Sequence, residues 1–193
     1  GLGGGSSIDV AKIIRLRTAL PDWKPNQPLA ASAQVPKLAP FVAIPTTAGT
    51  GSEVGRSSVI TISDRKHVIF HPALLADLVI LDPRLTVDLP AKLTAATGAD
   101  ALTHCIESYT CPVFHPLCDG IALEGIHLVV QALPRAVKVG ADLDARGRML
   151  VAAAMGAIAF QKDLGATHSL AHPLSTICKL HHGFQERCLH GPS

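Results

Sequence analysis

Ile8, Val10, Ala11, Ile13 and Ile14 follow a Gly3-Gly4-Gly5-Ser6-Ser7 run, and their spacing predicts a packed helix. Ser6 or Ser7 is positioned to cap it. Residues 20–40 hold five prolines and predict a loop. Phe41-Val42-Ala43-Ile44 predicts a short buried strand, stopped by Pro45. Thr46 to Gly55 is a Thr/Gly loop, Ser58–Ile62 a strand and Asp64-Arg65 a turn. Val68-Ile69-Phe70 and Leu78–Leu81 are two further strand candidates. After Asp82-Pro83 the strand period disappears. Helices are predicted over 90–109, from Asp119 as N-cap to about 133 before Pro134, over 143–160 and over 165–178. A boundary is therefore expected near Asp88, with an α/β segment over residues 1–88 and an all-helical segment over 89–193.

Composition narrows the function classes. The chain has 193 residues, 48% apolar and 17% charged, enough to bury a core and unlike a disordered chain or a disulfide scaffold. A net charge of +2 is too balanced for a nucleic-acid or membrane-surface footprint. No apolar run is expected to approach the roughly 18–20 residues of a membrane span. No basic-then-apolar leader is visible, and five cysteines at spacings that fit no zinc motif read as reduced thiols. A cytoplasmic protein is the expectation. Ten histidines stand out.

Two loops carry the chemistry of a phosphate site. In the GGGSS run the glycines admit a phosphate to the backbone, and a helix N-terminus presents N–H donors to it. TTAGTGSE adds three threonine hydroxyls (Thr46, Thr47, Thr50) beyond the end of a strand, where open α/β sheets bind ligands. Together the loops favour a nucleotide or dinucleotide, although each alone also fits a plain turn or a polar loop.

The helical segment carries a second pattern. Asp100 and His104 are four apart, on one face of a predicted helix, and His168 and His172 repeat that spacing. His181 and His182 follow, just before Gly183. A carboxylate and imidazoles on adjacent helices build a divalent-metal site, and in a charge-poor segment a metal is an efficient partner for them. Imidazole and carboxylate ligands suit iron(II) or zinc.

The motifs, in order, resemble the iron-containing (group III) alcohol dehydrogenase family. The resemblance lies in GGGSSID at 3–9, IPTTAGTGSEV at 44–54, LDPRLTVDLP at 81–90, TGADALTHCIESY at 97–109, GATHSLAHPLS at 165–175 and HHG at 181–183. It implies an N-terminal Rossmann-like α/β domain followed by an all-α metal-binding domain, a dehydroquinate synthase-like architecture with its site in the cleft between. It implies metal ligands at Asp100, His104, His168 and His182, with His182 favoured over His181 because the family ligand directly precedes a glycine. His172 would lie between metal and nicotinamide as a candidate for proton transfer. Gly4, Gly5, Ser6 and Asp9 would meet the pyrophosphate, and Thr46, Thr47, Thr50, Val59 and Lys66 the ribose and nicotinamide. The implied cofactors are Fe(2+), with Zn(2+) as the alternative, and NAD or NADP. The implied activity is hydride transfer between NAD(P) and a small alcohol, aldehyde or ketone, in a protein that is homo-oligomeric at full length.

The family's chains are longer. Against them this sequence is expected to lack the first strands of the Rossmann-like sheet and the later helices. Residues 183–193 do not resemble the small-apolar helix expected after His-Gly. A fragment truncated at both ends, through truncation or a frame shift, is the expectation. Two alternatives remain: a relative of the same fold, such as glycerol dehydrogenase or dehydroquinate synthase, and an inactive remnant.

Overall fold

A computed structural model describes residues 1–63 and 65–170. They form two compact units. The first comprises Gly1–Thr46 with Ser52–Ile80, and the second comprises Thr47–Gly51 with the described residues from Leu81. Asp88 lies between a 3-10 turn at Pro83–Thr86 and the first long helix of the second unit.

In the first unit, β1 (Leu2–Gly3), β2 (Val42–Pro45) and β5 (Leu78–Val79) form a parallel sheet in the order β1-β2-β5. Leu2 pairs with Ile44 and Val42 with Leu78. Helix α1 (Gly5–Ala19) buries Ile8 with Phe41 and Ala43, and Ile13 and Leu16 with Leu38, Ile69 and Leu74. Strands β3 (Ser57–Ile62) and β4 (Arg65–Phe70) form an antiparallel hairpin, and Ser63 takes the left-handed conformation (φ 48°) after Ile62.

The helix start differs from the sequence expectation. Gly4, not Ser6 or Ser7, occupies the N-cap position of α1, with φ −72° and ψ 179°. Gly4 has no side chain to cap with, and no side-chain hydrogen bond caps this helix start. The last predicted strand is also shorter than expected, ending at Val79.

A single lysine organises this unit. Lys12 is fully buried and falls on the apolar face between Ile8 and Leu16. Its Nζ donates to the backbone oxygens of Ser52 (2.6 Å), Gly55 (2.9 Å) and Ser57 (2.8 Å). Asp9 Oδ1 lies 3.8 Å away. Burial pulls the Lys12 ammonium below its ordinary 10.5, with the charges of Asp9 and Glu53 acting against the shift.

The second unit is a helical bundle of α2 (Ala91–Thr110), α3 (Pro116–Lys138) and α4 (Leu143–Ala159). Its core is built on alanine: Ala101, Ala132, Ala136, Ala145, Ala152 and Ala153 pack with Val129, Met149 and Leu150. Small side chains let the helices approach closely. A Cβ on Gly125 would come within 2.6 Å of Cys105 Sγ, which shows how tightly α3 lies on α2.

Helix α3 corrects three expectations. It begins at Pro116 rather than after Asp119, because the His115 side chain accepts the Cys118 N–H and Pro116 sits at the first helical position. It also continues through Pro134. The carbonyl that loses its donor belongs to Val130, which is exposed, while Ala132 and Ala136 hold the other face in the core. Finally, α3 is long and apolar enough to cross a membrane by length and composition. Its stripe of Cys118, Ala122, Gly125, Val129, Ala132 and Ala136 is buried against the bundle, while Leu117, Leu123 and Val130 on its other faces are exposed.

Candidate metal centre

Helix α2 presents Asp100, His104 and Glu107 at the i, i+4, i+7 spacing of one face, and all three are buried. Residues 166–170 are helical and bring His168 against that face. His104 Nε2 lies 3.7 Å and His168 Nε2 3.6 Å from Asp100 Oδ1. The two imidazoles stack with centroids 4.3 Å apart, and the Phe160 ring closes on His104 at 4.9 Å.

Among the described residues, Asp100, His104 and His168 are the group able to hold a metal ion. Their ligand atoms all lie within 4.8 Å of one another. Metal bonds of about 2.0–2.2 Å around a tetrahedron place donor atoms roughly 3.4 Å apart. The two carboxylate–imidazole separations, 3.7 and 3.6 Å, lie near that spacing. One carboxylate and two imidazoles also form a donor set for iron(II) or zinc rather than magnesium. The residues present therefore fit such a metal.

The supporting shell comes from two directions. Thr50 Oγ1 donates to Asp100 Oδ2 at 3.3 Å, leaving Oδ1 directed at the imidazoles. Thr50 can reach because its loop is made of small residues. Ala48 enters the bundle core, and Gly51 lies against Ala153 and Ala157 with φ +67°. From the other side, Glu107 Oε2 meets His168 Nδ1 at 2.5 Å, and Glu107 Oε1 accepts the Thr167 N–H at 2.5 Å. Burial pushes the Glu107 carboxyl up. The His168 hydrogen bond and charge, with the Thr167 and Gly165 N–H groups, more than offset this, so it lies below its ordinary 4.5.

The other candidate residues fall as follows. Gly4, Gly5 and Ser6 form the start of α1, where the Gly4 carbonyl accepts from Ser7 and Ile8. The Asp9 carboxylate is buried and accepts from Ser52 Oγ (2.5 Å) and from the Val59 N–H (2.9 Å). Burial pushes it above its ordinary 3.8, with the Ser52 and Val59 bonds and Lys12 acting against the shift. Thr46 donates its N–H to Gly3 at 3.0 Å beside the sheet, whereas Thr47 and Thr50 belong to the helical unit. Lys66 is exposed on β4, opposite Thr61. His172 and His182 lie outside the described residues.

Sequence reasoning passed over Glu107 and Lys12. Glu107 completes the Asp100–His104 face, and that i+7 position was its available signal. Lys12 stands three residues after Asp9 on an apolar face.

The family model for iron-containing alcohol dehydrogenases matches residues 1–83, and that for the C-terminal part of the same family matches residues 94–189. The chain belongs to the iron-containing alcohol dehydrogenase family. It is 47% identical over 193 residues to a 4-hydroxybutyrate dehydrogenase of Cupriavidus necator, covering 94% of this chain and 50% of the relative. A crystal structure of a 1,3-propanediol oxidoreductase superposes with TM-score 0.92 at 37% identity, covering 98% of this chain and 50% of that one. Sulfoacetaldehyde reductase from Bifidobacterium kashiwanohense, in complex with NAD+, gives TM-score 0.88 at 34% identity, covering 96% and 50%. The chain thus spans about half the length of the relatives it matches. These structures share the α/β-then-helical order seen here.

Proposed function

We propose that this chain provides the metal centre and cofactor loops of an NAD(P)-linked alcohol dehydrogenase, interconverting a small alcohol with its aldehyde or ketone. The observation that carries this reading is the convergence of buried Asp100, His104 and His168 donor atoms in a chain of this family. Asp100, His104 and His168, with His182 as fourth ligand, would hold iron(II), or zinc in its place. A divalent ion in such a set supplies Lewis acidity toward an alcohol oxygen, and a nicotinamide supplies the hydride acceptor.

The chain's own residues have definable tasks. Asp100 would contribute the one negative charge of the ligand set beside neutral imidazoles, so an occupied site would keep net positive character. Thr50 holds the second Asp100 oxygen and fixes the carboxylate's rotation. Phe160 and the alanine-rich bundle keep water from the His104 side. Gly4, Gly5 and Ser6 offer the α1 N-terminus to a pyrophosphate. Asp9 supports that loop's helix through Ser52 and Val59. Thr46, Thr47, Val59 and Lys66 are assigned to the ribose and nicotinamide side, and His172 accepts the hydroxyl proton. In this reading the protein acts in the cytoplasm, as a homo-oligomer at full length, without nucleic-acid or membrane partners.

The test is NAD- and NADP-linked oxidation of an alcohol, diol and 4-hydroxy-acid panel by the protein loaded anaerobically with ferrous iron, alongside His168→Ala. Turnover and metal retention are expected to disappear together in the variant. Retained turnover with full metal occupancy in His168→Ala would refute the ligand assignment.

A further inference from the structure

We infer that Glu107 is a positioning residue of the metal centre: it fixes His168 in the tautomer whose Nε2 lone pair faces Asp100 and His104. The inference rests on the metal reading above and goes beyond its ligand set. A carboxylate only accepts hydrogen bonds, so a ring nitrogen 2.5 Å from Glu107 Oε2 must carry the proton. That nitrogen is Nδ1. A neutral ring protonated there keeps its lone pair on Nε2, the atom 3.6 Å from Asp100 Oδ1.

The choice of a carboxylate is legible in the bonds. Oε1 takes the Thr167 N–H at 2.5 Å, while Oε2 takes His168 Nδ1 and, at 3.4 Å, the His168 N–H. Both oxygens are used as acceptors. Glu107 therefore caps the backbone at the start of the 166–170 helix and orients the ring on it. A glutamine of the same size has one acceptor oxygen and an NH2 group. If that NH2 turns to His168 it donates to Nδ1 and moves the ring proton to Nε2, the wrong atom for a metal. If it turns to Thr167, two donors face each other. Both residues are almost fully buried, Glu107 at 6% and His168 at 3% exposure, so water is poorly placed to replace the lost acceptor. The site is thus supported by a carboxylate–imidazole pair that shares a helix face with two of its ligands.

The test compares wild-type protein with Glu107→Gln and Glu107→Ala. Zinc affinity is measured by competition with a chromophoric chelator, and the His168 ring is followed by nitrogen-15 NMR with and without zinc. The expected results are a 10–100-fold loss of zinc affinity in both variants and, in wild type, a slowly exchanging proton on Nδ1 that is lost in the variants. Helix content by circular dichroism checks that Glu107→Gln, the isosteric variant, remains folded; the wild-type ring spectrum needs no variant. Zinc binding by Glu107→Gln equal to wild type, or a wild-type neutral ring protonated on Nε2, overturns the inference. A wild-type protein that binds no zinc overturns the metal reading as well, and that failure is visible before any variant is compared.

Discussion

Replacing Lys12 with Met should unsettle the whole first unit while leaving its apolar packing nearly unchanged. The lysine Nζ donates to three backbone carbonyls, at 2.6, 2.8 and 2.9 Å, inside a fully buried site. Each charge-assisted bond contributes about 1.5–3 kcal/mol. Methionine relieves the desolvation of the ammonium but leaves three carbonyls without their donor and removes the counter-charge beside Asp9. Breaking a buried ionic arrangement by removing one partner costs about 3–5 kcal/mol, and the same range is expected here. That is a large share of the roughly 5–15 kcal/mol that stabilises a domain. Trp23 is the chain's one tryptophan and packs against the Ile13–Leu16–Leu74 cluster, so its fluorescence reports this unit. Guanidinium unfolding followed by Trp23 emission should show a lower midpoint in Lys12→Met, with faster hydrogen exchange at the Val59 amide that Asp9 holds. A loss below about 0.5 kcal/mol, the range of an ordinary surface change, would show that Lys12 does not organise the 52–57 segment.

Three further outcomes are expected. Gly51→Ala would put a Cβ 2.3 Å from Ala157 Cβ and 2.6 Å from the Ala153 carbonyl at φ +67°, and thermal unfolding should show a loss of about 2–4 kcal/mol from overpacking and strain. Burial pushes the Cys105 thiol up to about 12, so peptide mapping after alkylation of the native protein at neutral pH should label the half-exposed Cys111 and spare Cys105. Asp142 caps α4 through the Ala145 N–H, and that bond and Arg135 hold its carboxyl below 3.8. Its stabilisation is therefore present above 3.8 and lost as pH falls through the lower folded value, so Asp142→Ala should melt earlier at neutral pH, by a margin that narrows in acid.

The helices α2 and α4 were legible because their alanine and leucine patterns are local. Asp100 and His104 were legible for the same reason, since four residues on a helix face are four residues in sequence. His168 was marked by its four-residue spacing to His172, but its meeting with Asp100 and His104 depends on where the chain returns after α4. Glu107 lay on the legible face but has a partner 61 residues away. Lys12 was not legible, because its partners are backbone carbonyls 40 to 45 residues distant, and no residue type marks a carbonyl. The misplaced start of α3 has a local cause: an imidazole cap followed by proline competed with Asp119, and proline at the first helical position favoured the earlier start. Pro134 failed as a stop because tertiary packing of Ala132 and Ala136 outweighs one lost bond on the exposed face.

Everything proposed for the helical unit depends on Asp100, His104 and His168 holding a divalent metal. Elemental analysis of the wild-type protein, His104→Ala and His168→Ala, each loaded anaerobically with ferrous iron and then dialysed, tests it most directly. About one ion should be retained per wild-type chain and little in either variant, since each histidine supplies a protein donor to a site with few. A wild-type protein that retains no metal, or variants that retain as much as wild type, would contradict it.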